Sequence, residues 1–242
     1  MVTLEVGSED SGIYKLYVHE SILHKLDFFK AALEGGFKEA STKIIKMPED
    51  DPVLMTSFVE FLYSGDYQVQ AAALTELKDD GAHLKKLFTQ KLYHARVLAL
   101  AEKYTLEGLC NRAGSYMRLL HTNLEANATA EGNAYFLEYV VQLYEMSGPG
   151  SILRIPKTVN TASPPVTSPR PIVWNTGRAA LWIGRMWRDK VQRHLVEEAF
   201  DRCPDLARDL LIIIADGFVG QLYAEYSARG IKSPIEALSI SL

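Results

Sequence analysis

Residues 14–65 change hydrophobic period three times, between strand-like and helix-like spacing. Tyr14, Leu16 and Val18 alternate as a strand does. Ile22, Leu26, Phe29 and Leu33 then recur at helical spacing, and Gly35-Gly36 closes that helix. Ile44, Ile45 and Met47 read as a second strand. Asp51-Pro52 reads as a helix start, an acidic cap followed by a proline at a position whose amide has no partner. Leu54, Phe58 and Phe61 continue on one face until Ser64-Gly65 stops the helix. These elements mix short strands with helices, and the fold class expected for the chain is α+β.

On either side the pattern continues. Residues 2–6 alternate like a strand and form a hairpin with residues 13–18 across the polar turn Gly7–Gly12. The first helix is expected over 20–34 and the next over 52–63. The stretch 68–90 reads as a short helix, a break at Asp79-Asp80-Gly81, and a lead into an amphipathic helix over 91–106. Tyr93, Val97, Leu100 and Tyr104 make the apolar stripe of that helix, with Arg96 and Lys103 off it. After a break at Thr105–Gly108, a further helix carries Leu109, Ala113, Tyr116, Met117 and Leu120.

Six fragments of this half carry a family likeness. They are Val18-His19, Ile22-Leu23, Phe28-Phe29, Gly35-Gly36-Phe37-Lys38-Glu39, Pro48-Glu49-Asp50-Asp51-Pro52 and Phe61-Leu62-Tyr63-Ser64-Gly65. In this order and at these spacings the chain resembles the BTB/POZ interaction domain, most closely its fungal type. Residues 98–113 resemble the closing helix pair of that domain and extend the likeness to about His121. The resemblance implies a BTB/POZ fold, a small β-sheet flanked by α-helices, over residues 1–122. An all-α region follows over 123–242.

The likeness also implies a function in protein–protein interaction. Some BTB adaptors place a hydrophobic residue, any residue and a glutamate where this chain has Phe37-Lys38-Glu39, and use them to contact a cullin scaffold of ubiquitin ligases. An aromatic anchor with a rim carboxylate suits that task. The plainer reading has Phe37 covering the end of the first helix and Glu39 solvated. Two departures count against the corepressor-recruiting mode of the family: Glu20 replaces the usual basic residue after the histidine, and Leu26 replaces a common serine. Dimeric relatives exchange a segment that precedes the first strand. The sequence offers no room for it before Val2, so a homodimer here is expected to do without that exchanged strand.

In the second half, Leu137, Val140, Val141 and Tyr144 mark a helix that ends at Ser147-Gly148-Pro149-Gly150. Five of the ten prolines fall in residues 156–171, which read as a linker. A helix is expected over Asn175–Leu195, with Ala180, Ile183, Trp187, Val191 and Leu195 on one side. Trp182 falls opposite, near Arg178 and Arg185, where it can stack on an arginine or mark a partner surface. The basic residues 178–193 are expected to pair with the acidic run Glu197, Glu198, Asp201, Asp205 and Asp209. A last, strongly apolar helix should run from Pro204 to about Ala228.

No residues can be nominated for catalysis. His19 and His24 are five apart, where a helical zinc pair needs four. Glu49-Asp50-Asp51 is framed by prolines as a capping turn. Gly35-Gly36 follows a helix, so it is no phosphate loop, and no nucleophile elbow or kinase element occurs. Cys110 and Cys203 read as reduced thiols. A net charge of −4 argues against broad nucleic-acid binding. No membrane span, signal peptide, metal or cofactor is expected. The sequence thus reads as an intracellular, non-catalytic adaptor or scaffold, with Phe37, Glu39, Trp182, Arg178 and Arg185 as interaction residues. A BTB-containing transcriptional or DNA-associated regulator and a self-associating structural scaffold stand as alternatives.

Overall fold

The computed structural model of the chain describes residues 1–10, 12–69, 83–124, 130–148, 151, 153–154, 183–184 and 186–212. The chain divides into two compact units, Met1–Tyr139 and Val140–Leu242. The proline-rich segment 156–171, the break at Asp79-Asp80-Gly81 and the far end of the last helix lie outside the described residues.

The first unit is α+β, built on a three-stranded sheet with order β2-β1-β3. Strand β1 (Val2–Val6) pairs antiparallel with β2 (Tyr14–Val18), the expected hairpin, and parallel with β3 (Ile44–Met47). Alternation decides which face is covered: Val2, Leu4, Val6, Val18, Ile45 and Met47 are buried. Parallel pairing of β1 with β3 requires a crossover, and residues 20–42 supply it as three short helices.

Here the structure departs from the expected single helix over 20–34. It has α1 (Glu20–Leu23) and α2 (Asp27–Glu34), because Leu26 adopts an extended backbone (φ −114°, ψ 125°) and caps the second helix. The break lets Leu23 and Leu26 both reach the core together with Phe29 and Leu33. A third helix, α3 (Lys38–Thr42), has no counterpart in the sequence reading.

Helix α4 (Pro52–Ser64) starts and stops as expected. The Asp51 carboxylate accepts from the amides of Val53 (2.7 Å) and Leu54 (3.3 Å), and Gly65 ends the helix at φ 75°. Its buried face is Met55, Ser57 and Phe58 instead of Leu54, Phe58 and Phe61. Helix α5 (His83–Lys103) begins eight residues before the expected 91 and packs against α4 and α6 (Glu107–Leu124). Tyr93, Val97, Leu100 and Tyr104 are buried as the stripe requires, and so are His94, Leu98 and Ala101. A helix covered on both sides buries more than one stripe.

Buried polar groups tie this unit together. Asp50 is turned inward, accepting from the Tyr104 hydroxyl (2.6 Å) and the Lys103 ammonium (2.8 Å). Of the three acids Glu49-Asp50-Asp51, then, one caps and one is an interior acceptor. Ser57 Oγ donates to the Gln68 carbonyl (3.2 Å) and lies 2.6 Å from the Tyr93 hydroxyl. His94 Nδ1 lies 2.7 Å from the Tyr67 hydroxyl, and burial pushes its imidazole down to about 4.

Helix α7 (Ala130–Glu145) contributes to both units. In the second unit, Val140, Val141, Leu143 and Tyr144 are buried, as are Leu153, Ile183, Met186, Val196, Ala199, Leu206 and Leu210. The expected continuous helix over Asn175–Leu195 is interrupted: residues 186–188 are helical, 189–192 form a turn, and α8 runs over Arg193–Arg202. Trp187 and Val191 therefore leave the apolar stripe and are 41% and 75% exposed. Of the expected charge pairing, the part carried by Arg178 and Arg185 lies outside the described residues, within which Arg188, Lys190 and Arg193 make no ion pair. Asp205 pairs with Arg154 (2.7 Å) and Arg208 (3.0 Å), and Arg208 also reaches Asp209 (3.4 Å).

Candidate interaction surface

The segment Gly35–Lys43 presents an aromatic ring on a short, anchored helix. Gly35 ends α2, and Gly36 follows at φ 73°, a conformation that costs a glycine nothing. The chain thereby turns sharply into Phe37, whose extended backbone (φ −74°, ψ 167°) caps α3. The Phe37 ring folds back over Gly35: a methyl group there would come within 2.8 Å of it and still closer to the Ala31 carbonyl oxygen. The ring is held in place by a missing side chain, yet it remains 62% exposed. Glu39 sits in the first turn of α3, where its charge opposes the helix dipole favourably, and is half-buried.

Both ends of α3 are fastened. The Ala40 amide donates to the Phe37 carbonyl (3.1 Å), and Thr42 Oγ1 donates to the Lys38 carbonyl (3.0 Å). Lys43 takes the left-handed conformation (φ 55°), its amide donating to Glu39 O (2.8 Å) while its carbonyl accepts from the Thr3 amide (2.9 Å). The Lys43 ammonium donates to Glu20 Oε1 at 2.7 Å, and this bond holds the Glu20 carboxyl below the usual carboxylate range. Glu20 thus clamps the far end of α3 to α1.

His24 lies between the same Glu20 and one further acid, with Nε2 3.4 Å from Glu20 Oε1 and Nδ1 3.6 Å from Glu34 Oε1. His19 is also placed structurally. Its amide donates to the Tyr63 hydroxyl (2.9 Å), which lies 2.7 Å from its Nδ1. A hydroxyl that accepts from the amide has its proton left for that ring nitrogen.

Of the residues selected from sequence, Phe37 and Glu39 come together on α3. Trp182, Arg178 and Arg185 lie outside the described residues. Sequence reading missed the Glu20–Lys43 clamp and the Asp66 cluster, in which the carboxylate accepts from Arg112 Nε (2.8 Å), Arg112 Nη2 and the Tyr116 hydroxyl (2.8 Å). No local signal points to either, since the partners are 23 and 46–50 residues apart.

Among the described residues, no group of three or more histidine, cysteine, aspartate or glutamate side chains stands close enough to hold a metal ion. Nor is any helix among them long and apolar enough to cross a membrane. Comparison of the chain with protein-family models, with curated proteins and with solved structures finds no match.

Proposed function

We propose that the chain is a protein-interaction module, a non-catalytic adaptor whose first unit presents Phe37 and Glu39 to a protein partner. One observation carries the reading. Phe37 is a large apolar ring that the fold leaves exposed while fixing its position against Gly35. A pre-positioned aromatic loses little freedom on binding and makes an efficient anchor. Glu39, two residues on in the anchored helix, supplies an orienting charge at the rim. The resemblance to BTB/POZ adaptors names the partner class, a cullin-type scaffold.

Light scattering in line with size exclusion tests this, with the chain run alone and then with a purified cullin N-terminal domain. The expected result is a one-to-one complex, weakened at least about thirtyfold by Phe37→Ala, as an anchor worth about 2 kcal/mol requires. Glu39→Lys should weaken it too, mainly by slowing association. A stable homodimer that ignores the cullin would replace this reading with a self-associating scaffold.

A further inference from the structure

The interrupted helix of the second unit creates a surface that the sequence pattern does not contain. The interruption has a local cause. Asp189 Oδ1 accepts from the Val191 amide (2.9 Å) and Oδ2 accepts from Gln192 Nε2 (2.9 Å), which offers the backbone a turn in place of another helical residue. Ile183 and Met186 are buried before the turn, and Val196 and Ala199 after it, so both flanks are anchored. Between them Trp187, Arg188, Lys190, Val191 and Arg193 are all exposed.

The tryptophan is held rigidly. Its ring stacks on Phe200 with centroids 5.9 Å apart and planes at 26°. The Arg193 guanidinium lies over the ring at 5.9 Å, and Arg193 Nε donates to the Trp187 carbonyl (3.0 Å). The turn keeps a positive excess. Arg188, Lys190 and Arg193 outnumber the one carboxylate, Asp189, which accepts only from neutral amides, and among the described residues those three cations make no ion pair.

We propose that the turn over residues 186–193 is a docking site for an acidic peptide segment of a partner protein. Trp187 is its aromatic anchor, and Arg188, Lys190 and Arg193 are its cationic rim. Charge complementarity sets the sign of the occupant, and the neighbouring residues set its class. Exposed Glu197, Glu198 and Asp201 begin four residues beyond Arg193 on α8. A nucleic-acid strand carries phosphates at every step and would run into these carboxylates, with only three cations in the turn to offset them. A flat anionic bilayer would meet the same acids. A peptide can set two or three carboxylates against the cations and an apolar side chain against Trp187 or Val191, then leave the surface. This site is independent of the Phe37 surface in the other unit.

The test uses the full chain and a fluorescein-labelled dodecapeptide carrying three glutamates and one leucine among serines and glycines, read by anisotropy at low salt. Controls are the glutamine version of that peptide, a twelve-nucleotide oligo-dT, and vesicles of phosphatidylserine in phosphatidylcholine. The expected result is saturable binding of the glutamate peptide and none of the glutamine peptide. The double variant Arg188→Glu/Lys190→Glu, surface changes that leave the buried flanks untouched, should weaken binding at least about tenfold. Trp187→Ala should weaken it by a similar factor, with circular dichroism confirming the helices. The proposal is overturned if the glutamate peptide does not bind, if neither variant weakens it, or if oligo-dT or the vesicles bind more tightly than the peptide.

Discussion

Among single residues, the acids of the Glu49-Asp50-Asp51 run show how position divides one chemistry. Asp51 caps α4 at the surface, so Asp51→Ala should cost about 1 kcal/mol in urea unfolding. Asp50 is nearly buried, and its removal leaves the Tyr104 hydroxyl and the Lys103 ammonium without their acceptor. Asp50→Ala should therefore cost more, about 2–3 kcal/mol in the same assay. His94 makes stability depend on pH. Its imidazole is pushed down to about 4 in the folded chain by burial, against about 6.5 when unfolded. The folded state prefers the neutral ring, so the contribution is complete above about pH 6.5 and is lost as pH falls through about 4. It amounts to about 3 kcal/mol between those ends. His94→Phe should flatten the stability profile in that window; an unchanged slope would show that His94 is not its source. Asp66, held well below the usual carboxylate range chiefly by its bond to Arg112, adds its own loss at lower pH.

At the level of elements, the two glycines before Phe37 do different work. Gly36 faces open space, so Gly36→Ala costs only the left-handed backbone, about 1–2 kcal/mol in thermal unfolding. Gly35 lies beneath the Phe37 ring and against the Ala31 carbonyl. Gly35→Ala must therefore displace the ring and the end of α2, at about 1–3 kcal/mol. Partner binding should suffer with it and survive in Gly36→Ala. Equal binding by both variants would show that the placement of the ring is irrelevant. Element boundaries were legible where a residue acts locally, as at Asp51-Pro52 and Ser64-Gly65. They were not legible at Leu26, at α3 or at residues 189–192. In those places an apolar residue caps a helix, two glycines are followed by five helical residues, and an aspartate turns its side chain back on the backbone within a helical pattern.

For the molecule as a whole, the two units give separable signals. All three tryptophans, Trp174, Trp182 and Trp187, belong to Val140–Leu242, whereas circular dichroism reports helices of both units. Asp50→Ala should lower the unfolding midpoint seen by circular dichroism and leave the tryptophan transition in place. Equal shifts would show that α7, which contributes to both units, makes them unfold as one.

Taken by itself, the sequence determined the strand pairing of the hairpin, the caps of α4 and the buried stripe of α5. Each of these rests on periodicity or on chemistry confined to a few neighbouring residues. Tertiary structure alone decided that Phe37 stays exposed while resting on Gly35, that Glu20 clamps Lys43, and that Asp50 faces inward. It also decided that Trp187 leaves its expected stripe. The physical reason is the same in each case. Whether a ring is covered or a charge is paired depends on groups brought together from distant parts of the chain, and spacing along the sequence does not carry that information.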